Sequence, residues 1–390
     1  MEFMDLARQQ NRIRSRLEKN IMAVLDHGQY IMGPEVGILE KELADFSGVK
    51  NAVACASGTD ALLMALMACH VGPGDAVLTT PFTFIATAEV IRLLGATPVF
   101  VDIDPTTFNI DPTELSQAIA ALEAGDASMH PLPKGFERLR AKAVIAVDLF
   151  GLPADYDAVN RLADDAGLVV IEDAAQSFGA QYRGKRACSL AAVGCTSFFP
   201  AKPLGAYGDG GMCFTDDDTL ADVLRSIRIH GKGADKYDNI RIGINGRLDT
   251  LQAAVLLAKF SIFREEIVLR QNAAKKYADL LSGIASITTP RIPGDSTSIW
   301  AQYSVLATDP SHRTQVQQGL KEAGVPTAVY YPKPLHLQTA FMNLGYGMGD
   351  FPASEEISAR IFSLPMHPYL ETGDQEKIAA VLSTFDEKRG

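Results

Sequence analysis

From Asn51 onward, short apolar runs alternate with helical stretches, and this alternation restricts the fold more than any other feature of the sequence. Candidate strands fall at Ala52–Ala54, Ala76–Leu78, Pro98–Val101, Ala143–Val147, Val169–Ile171, Cys195–Phe198 and Gly211–Phe214. Between them, Ala61–Cys69, Ala86–Leu94, Pro112–Leu122 and Asp157–Ala166 read as helices, punctuated by Gly72-Pro73-Gly74-Asp75 and Gly95. Parallel strands need a long crossover, usually a helix, whereas antiparallel strands close with short turns. The pattern therefore predicts an α/β core with a mostly parallel sheet covered on both faces.

The flanks read differently. Leu6, Ile13, Leu17, Ile21, Val24 and Leu25 recur at helical spacing and stop at His27-Gly28, and Pro34 can open a second helix because its missing N–H costs nothing at the first helical position. Glu123–Gly135 is polar and reads as a surface loop. Two long helical patterns follow Arg247, at Leu248–Phe260 and Phe263–Leu281. Beyond them, Ile299–Leu306, Arg313–Ala323, Ala328–Tyr330 and Asp374–Thr384 suggest a smaller α+β unit. A chain of 390 residues is long for one domain at roughly 150 residues each. The expected division is a large domain over residues 1–260 and a small C-terminal domain over 261–390.

A net charge of −11 disfavours broad binding to nucleic acid or anionic lipid, since both reward clustered Lys and Arg. The five cysteines show neither C-x-x-C nor metal-ligand spacing, and Cys55, Cys195 and Cys213 sit in apolar runs as small buried hydrophobes. Neither a disulfide nor a metal is expected. The first twenty residues have no apolar core of a signal peptide, and no window reaches the roughly 20 apolar residues of a membrane helix. The expectation is a soluble cytoplasmic protein.

Three stretches carry chemistry. Ala54-Cys55-Ala56-Ser57-Gly58-Thr59-Asp60 runs from a strand into a helix, where small residues and free N–H groups suit either an anion or a simple helix cap. Val169–Ser177 puts Glu172-Asp173 directly after an apolar strand, at the end of the sheet where ligand crevices form. The alternative is a pair of acids capping the next helix. A functional acid there should face a cation, because an isolated buried carboxylate is costly. Lys202, in Ser197-Phe198-Phe199-Pro200-Ala201-Lys202-Pro203-Leu204-Gly205, stands between apolar strand residues and a turn. Desolvation there would make it a nucleophile; a lysine reaching out from a loop is the plainer reading.

In order, S-G-T-D-A, P-F-T-F-I-A-T, E-D-A-A-Q-S, S-F-F-P-A-K-P-L-G and G-x-N-x-R-L-D closely resemble the DegT family, over nearly the whole chain. The resemblance implies a type I aminotransferase fold, pyridoxal 5′-phosphate as cofactor, and amino transfer from glutamate to a nucleotide-linked keto sugar. Text such as HGQYIMGPEV and SLPMHPYL is most similar to the branch acting on UDP-2-acetamido-2-deoxy-3-oxo-D-glucuronate. Transfer to another nucleotide keto sugar, at C4 or TDP-linked, and a non-catalytic regulatory protein on the same fold are the alternatives.

By position in these motifs, Lys202 would bond the cofactor and then shuttle protons. Asp173 would pair with the ring nitrogen, Gln176 would contact the ring hydroxyl, and Phe84 would stack on the ring. Gly58, Thr59 and Ser197 would hold the phosphate, joined by Asn245 from a neighbouring subunit of a homodimer with shared active sites. Arg247, Tyr330 and Tyr331 would bind substrate, although the branch often has His-Tyr where this chain has Tyr330-Tyr331. Lys333 and His336 read as parts of a solvated loop.

Overall fold

The computed structural model describes residues 1–235 and 237–387. Helices α1 (Leu6–His27) and α2 (Pro34–Ser47) precede β1 (Asn51–Cys55). Gly28 and Gly48 end these helices in left-handed conformation, at φ 70° and 81°, which is open to glycine without a Cβ penalty. The alternating region supplies α3 (Gly58–Ala68), β2 (Asp75–Thr79), α4 (Ala86–Leu93), β3 (Thr97–Phe100), α5 (Pro112–Ala124), β4 (Arg140–Val147), α6 (Tyr156–Asp165) and β5 (Val169–Asp173). A short hairpin, β6 (Gln181–Tyr182) with β7 (Lys185–Arg186), leads to β8 (Val193–Ser197) and β9 (Gly211–Thr215).

These strands form a seven-stranded sheet in the order β1-β9-β8-β5-β4-β2-β3. All but β9 run parallel; β9 pairs antiparallel with both of its neighbours. The sheet is buried on both faces. Leu62, Leu66, Val90 and Ile91 pack with Val77, Ile145 and Ile171 on one side, while Leu115, Ile119, Val159 and Val170 pack together on the other. The predicted α/β core is thus the observed one.

After α7 (Asp218–Ile227), which the sequence reading did not foresee, comes α8 (Thr250–Leu281), a single helix of 32 residues. This corrects the expectation of two helices. Ser261 interrupts the apolar pattern without breaking the backbone, because it is neither Gly nor Pro. Phe263 of α8 is fully buried against Phe178, with ring centroids 5.6 Å apart, and Phe178 in turn stacks on Phe214 of β9. Burial of each such ring contributes about 1.5–3 kcal/mol, which seats α8 on the sheet.

The remaining strands are β10 (Ile287–Thr288), β11 (Ser296–Thr297), β12 (Tyr303–Ala307) and β13 (Ile361–Leu364). β11 extends the β6–β7 hairpin, and β10-β12-β13 form a small antiparallel sheet. Helices α9 (Pro310–Glu322), α10 (Pro352–Arg360) and α11 (Thr372–Glu387) accompany it. Tyr277 of α8 joins its core and donates to the Pro365 carbonyl at 2.9 Å. No helix among the described residues is long and apolar enough to cross a membrane.

Candidate active site

A cavity of about 700 Å³ opens at the C-terminal ends of the parallel strands. Val147, Asp173 and Ser197, the last residues of β4, β5 and β8, lie in its wall. Ligands collect at this edge of open α/β sheets because loops diverge there and leave a crevice.

The start of α3 forms one wall. Ser57 caps the helix, its Oγ accepting from the Asp60 N–H at 3.0 Å. Thr59 lies beside it in the cavity wall. A Cβ on Gly58 would lie 2.6 Å from Cβ of Ser197, and one on Gly211 would lie 2.2 Å from the Ser57 carbonyl oxygen. Glycine at both positions lets α3 approach the ends of β8 and β9. The result is a cradle of free N–H groups with Ser197 at its edge, positively polarised by the helix.

Lys202 and Asp173 line the same cavity. Burial pushes the Lys202 ammonium below its ordinary pKa, and Asp173 partly offsets this. Asp173 is buried and pushed upward by desolvation, opposed by hydrogen bonds and by Lys202. Its Oδ2 accepts from Thr87 at 2.8 Å and its Oδ1 from the Ala175 N–H at 3.2 Å. Thr83 and Thr87 are linked at 3.2 Å. Neither threonine was given work on sequence grounds, although both stand in P-F-T-F-I-A-T, four residues apart.

Gln176 accepts from the Phe150 N–H at 2.7 Å and donates to the Tyr331 hydroxyl at 3.2 Å. Tyr330 and Tyr331 line the cavity, and burial raises the pKa of both phenols. Phe84 also lines it and is 56% exposed, so it is no core aromatic. Gln302 and Gln338, from outside the seven-stranded sheet, complete the outer wall, and neither was singled out beforehand. Among the described residues, Lys202 is the single basic one that lines the cavity.

Asn245 and Arg247 are absent from this wall. They bond each other, Arg247 Nε to Asn245 Oδ1 at 2.9 Å, on the segment ahead of α8. His336 departs from expectation: it is buried and bonded to Glu355 at 3.0 Å, beneath Phe351, because its loop folds against β3 instead of standing in water. Lys333 is exposed, as expected. All five cysteines are free, and no cluster of His, Cys, Asp or Glu among the described residues could hold a metal.

A profile of the DegT/DnrJ/EryC1/StrS aminotransferase family matches residues 11–383. The chain belongs to this family. Within the DegT/DnrJ/EryC1/StrS aminotransferases it is 50% identical to the UDP-2-acetamido-2-deoxy-3-oxo-D-glucuronate aminotransferase of Pseudomonas aeruginosa over 383 residues, covering 98% of this chain and 99% of that one. It is 40% identical to a protein of Geobacillus stearothermophilus named a pleiotropic regulatory protein, over 98% of both chains. Among solved structures, a DegT DnrJ EryC1 StrS aminotransferase from Brucella abortus superposes with a TM-score of 0.93 at 48% identity, covering 99% of each chain. The type I aminotransferase fold follows from this likeness and from the observed sheet.

Proposed function

We propose that the protein is a pyridoxal-phosphate-dependent aminotransferase carrying the amino group of L-glutamate to C3 of UDP-2-acetamido-2-deoxy-3-oxo-D-glucuronate, for bacterial surface polysaccharide. The observation that carries this reading is the meeting of Lys202, Asp173 and the N-terminus of α3 in one cavity under an exposed Phe84. The 50% relative supports the choice of sugar.

The residues present suit the cofactor. Lys202 would bond its aldehyde, Asp173 would face the protonated ring nitrogen, and Gln176 would meet the ring hydroxyl. Phe84 would cover the ring face. Gly58, Thr59 and Ser197 would hold the phosphate in a cradle too tight for a Cβ at Gly58. When bound, pyridoxal phosphate supplies an aldehyde to carry the amino group and a ring that withdraws electrons from the reacting carbon.

The chain's own part is positioning and proton transfer. Asp173, lacking a salt-bridge partner within 4 Å among the described residues, is a buried carboxylate suited to a cationic ring nitrogen. Lys202, with its pKa lowered by burial, has a larger neutral fraction and can take the proton at the α-carbon of glutamate. A positioned base of this kind typically contributes ~10²–10⁴ in rate. Tyr330 and Tyr331 would contact the sugar. In this reading the enzyme is a cytoplasmic homodimer, with Asn245 reaching the partner's phosphate site and Arg247 a carboxylate there.

Two other readings are open to test. A different nucleotide keto sugar would use the same inner wall, and the 40% identity to a Geobacillus protein named for regulation supports a regulatory role. The purified protein should show the visible band of lysine-bound cofactor and form 2-oxoglutarate from glutamate when given the UDP 3-keto uronate. A preference for 4-keto or TDP sugars would move the substrate assignment; absence of both band and turnover would favour regulation.

A further inference from the structure

Asp148 and Glu172 are fully buried, and nothing in the amino transfer described above uses them. Side chains alternate across a strand. Asp173 faces the cavity, so Glu172 turns to the opposite face of the sheet; Val147 lines the cavity, so Asp148 turns the same way. There the two carboxyl groups lie near one another at the ends of the adjacent strands β4 and β5, both fully buried, and Asp148 bears on the ionisation of Glu172. Asp148 Oδ1 accepts from the Ala154 N–H at 3.0 Å and the Tyr156 hydroxyl at 2.9 Å, and its Oδ2 accepts from Ser177 Oγ at 2.6 Å. Glu172 accepts from the N–H groups of Cys188 at 2.5 Å and Leu190 at 2.9 Å.

Every one of these donors is neutral. The titratable groups facing the pair are Asp173 on β5, Tyr156 on α6 and the Cys188 thiol before β8. Among the described residues, no Lys, Arg or His bonds to either carboxyl. Two neighbouring buried carboxylates without a cation cannot both stay ionised in a dry interior. Burial raises the pKa of both.

We propose that Asp148 and Glu172 share one proton, and that this acid–carboxylate pair positions Asp173 and Gln176 in the cavity wall. Three donors converge on Asp148 and two on Glu172, so the charge rests on Asp148 and the proton on Glu172. The mechanical link is short. The Asp148 N–H donates to the Asp173 carbonyl at 3.1 Å, and Ser177, held by Asp148, closes the turn through Ala174 that carries Gln176. Only this positioning half rests on the proposed function; the shared proton does not.

Infrared spectroscopy of the cofactor-free protein at pH 7 tests the proton directly. A carbonyl band of a protonated carboxyl, sensitive to deuteration, is expected in the wild type and should vanish in Glu172→Gln; a wild type without the band overturns the proposal. If that variant does not fold, the wild-type spectrum still decides. Urea unfolding gives the second measure. Above about pH 4.3 an unfolded glutamate ionises while the folded pair keeps its proton. Stability should therefore fall as pH rises, by up to tenfold in the folding constant per pH unit, until the folded pair ionises. Glu172→Gln should flatten that slope, and an unchanged slope counts against the pair.

For positioning, Asp148→Ala should weaken retention of pyridoxal phosphate at least tenfold, with Asp148→Asn restoring most of it. Equal retention in all three proteins would overturn that half. A wild type that never binds pyridoxal phosphate would overturn the proposed function and positioning together, leaving the infrared result to judge the shared proton.

Discussion

The inner end of the cavity stands largely on regular structure: Gly58 and Thr59 on the first turn of α3, Asp173 and Ser197 on the last residues of β5 and β8, with Gln176 in the short turn that follows β5. The outer end is made of connecting segments. Tyr330, Tyr331, Gln302 and Gln338 come from the chain beyond α8, and Arg247 lies outside the wall altogether. Strand ends hold groups rigidly, which suits one unvarying cofactor. Loops on a rigid frame change more easily, which suits a family whose members differ in their sugars.

That contrast breaks first at Lys202. Lys202→Ala should abolish transaminase activity, and borohydride should attach the cofactor to Lys202 in the wild type. Peptide mapping that found the adduct on Lys185 or Lys259 would move the chemistry away from the inner wall. Next, Asp173→Asn should keep cofactor bound but lower kcat by about 10²–10³, the size expected for losing one preorganised electrostatic partner. A near-native kcat would mean the ring nitrogen is held elsewhere.

The outer end responds to mixing. Lys202→Ala and Arg247→Ala should each be weak alone, yet co-refolding should restore roughly a quarter of wild-type activity, because half the chains pair into mixed two-fold dimers with one intact site each. No recovery between well-folded mutants would put Arg247 to work in its own chain, or nowhere. Smallest of all, Tyr331→Phe removes one hydrogen bond to Gln176, worth about 1 kcal/mol. KM for the sugar should rise about fivefold with kcat little changed; a drop confined to kcat would make Tyr331 part of the inner machinery.

What the sequence disclosed follows the same line. The sheet was legible because each strand and crossover is a local pattern, and Gly58, Asp173 and Ser197 sit where motif and element coincide. The burial of His336 was not, since its partner Glu355 is 19 residues away across a loop without periodicity. The continuity of α8 was missed because an apolar stripe lapses at Ser261 while the backbone does not. Nor did any short-range pattern tie Asp148 to Glu172, although both adjoin residues that were noticed.

The unbroken length of α8 has a consequence for how such chains can change. It packs on α1 and α2 at one end and on α11 at the other. An α-helix turns about 100° and advances about 1.5 Å per residue. Deleting one residue near Ser261 would swing the small antiparallel sheet, with the segment bearing Tyr330 and Tyr331, about a quarter-turn around the helix axis relative to Lys202. Insertions and deletions that reshape the outer end must therefore fall in loops, and the length of this one helix acts as a gauge that keeps both ends of the cavity in register.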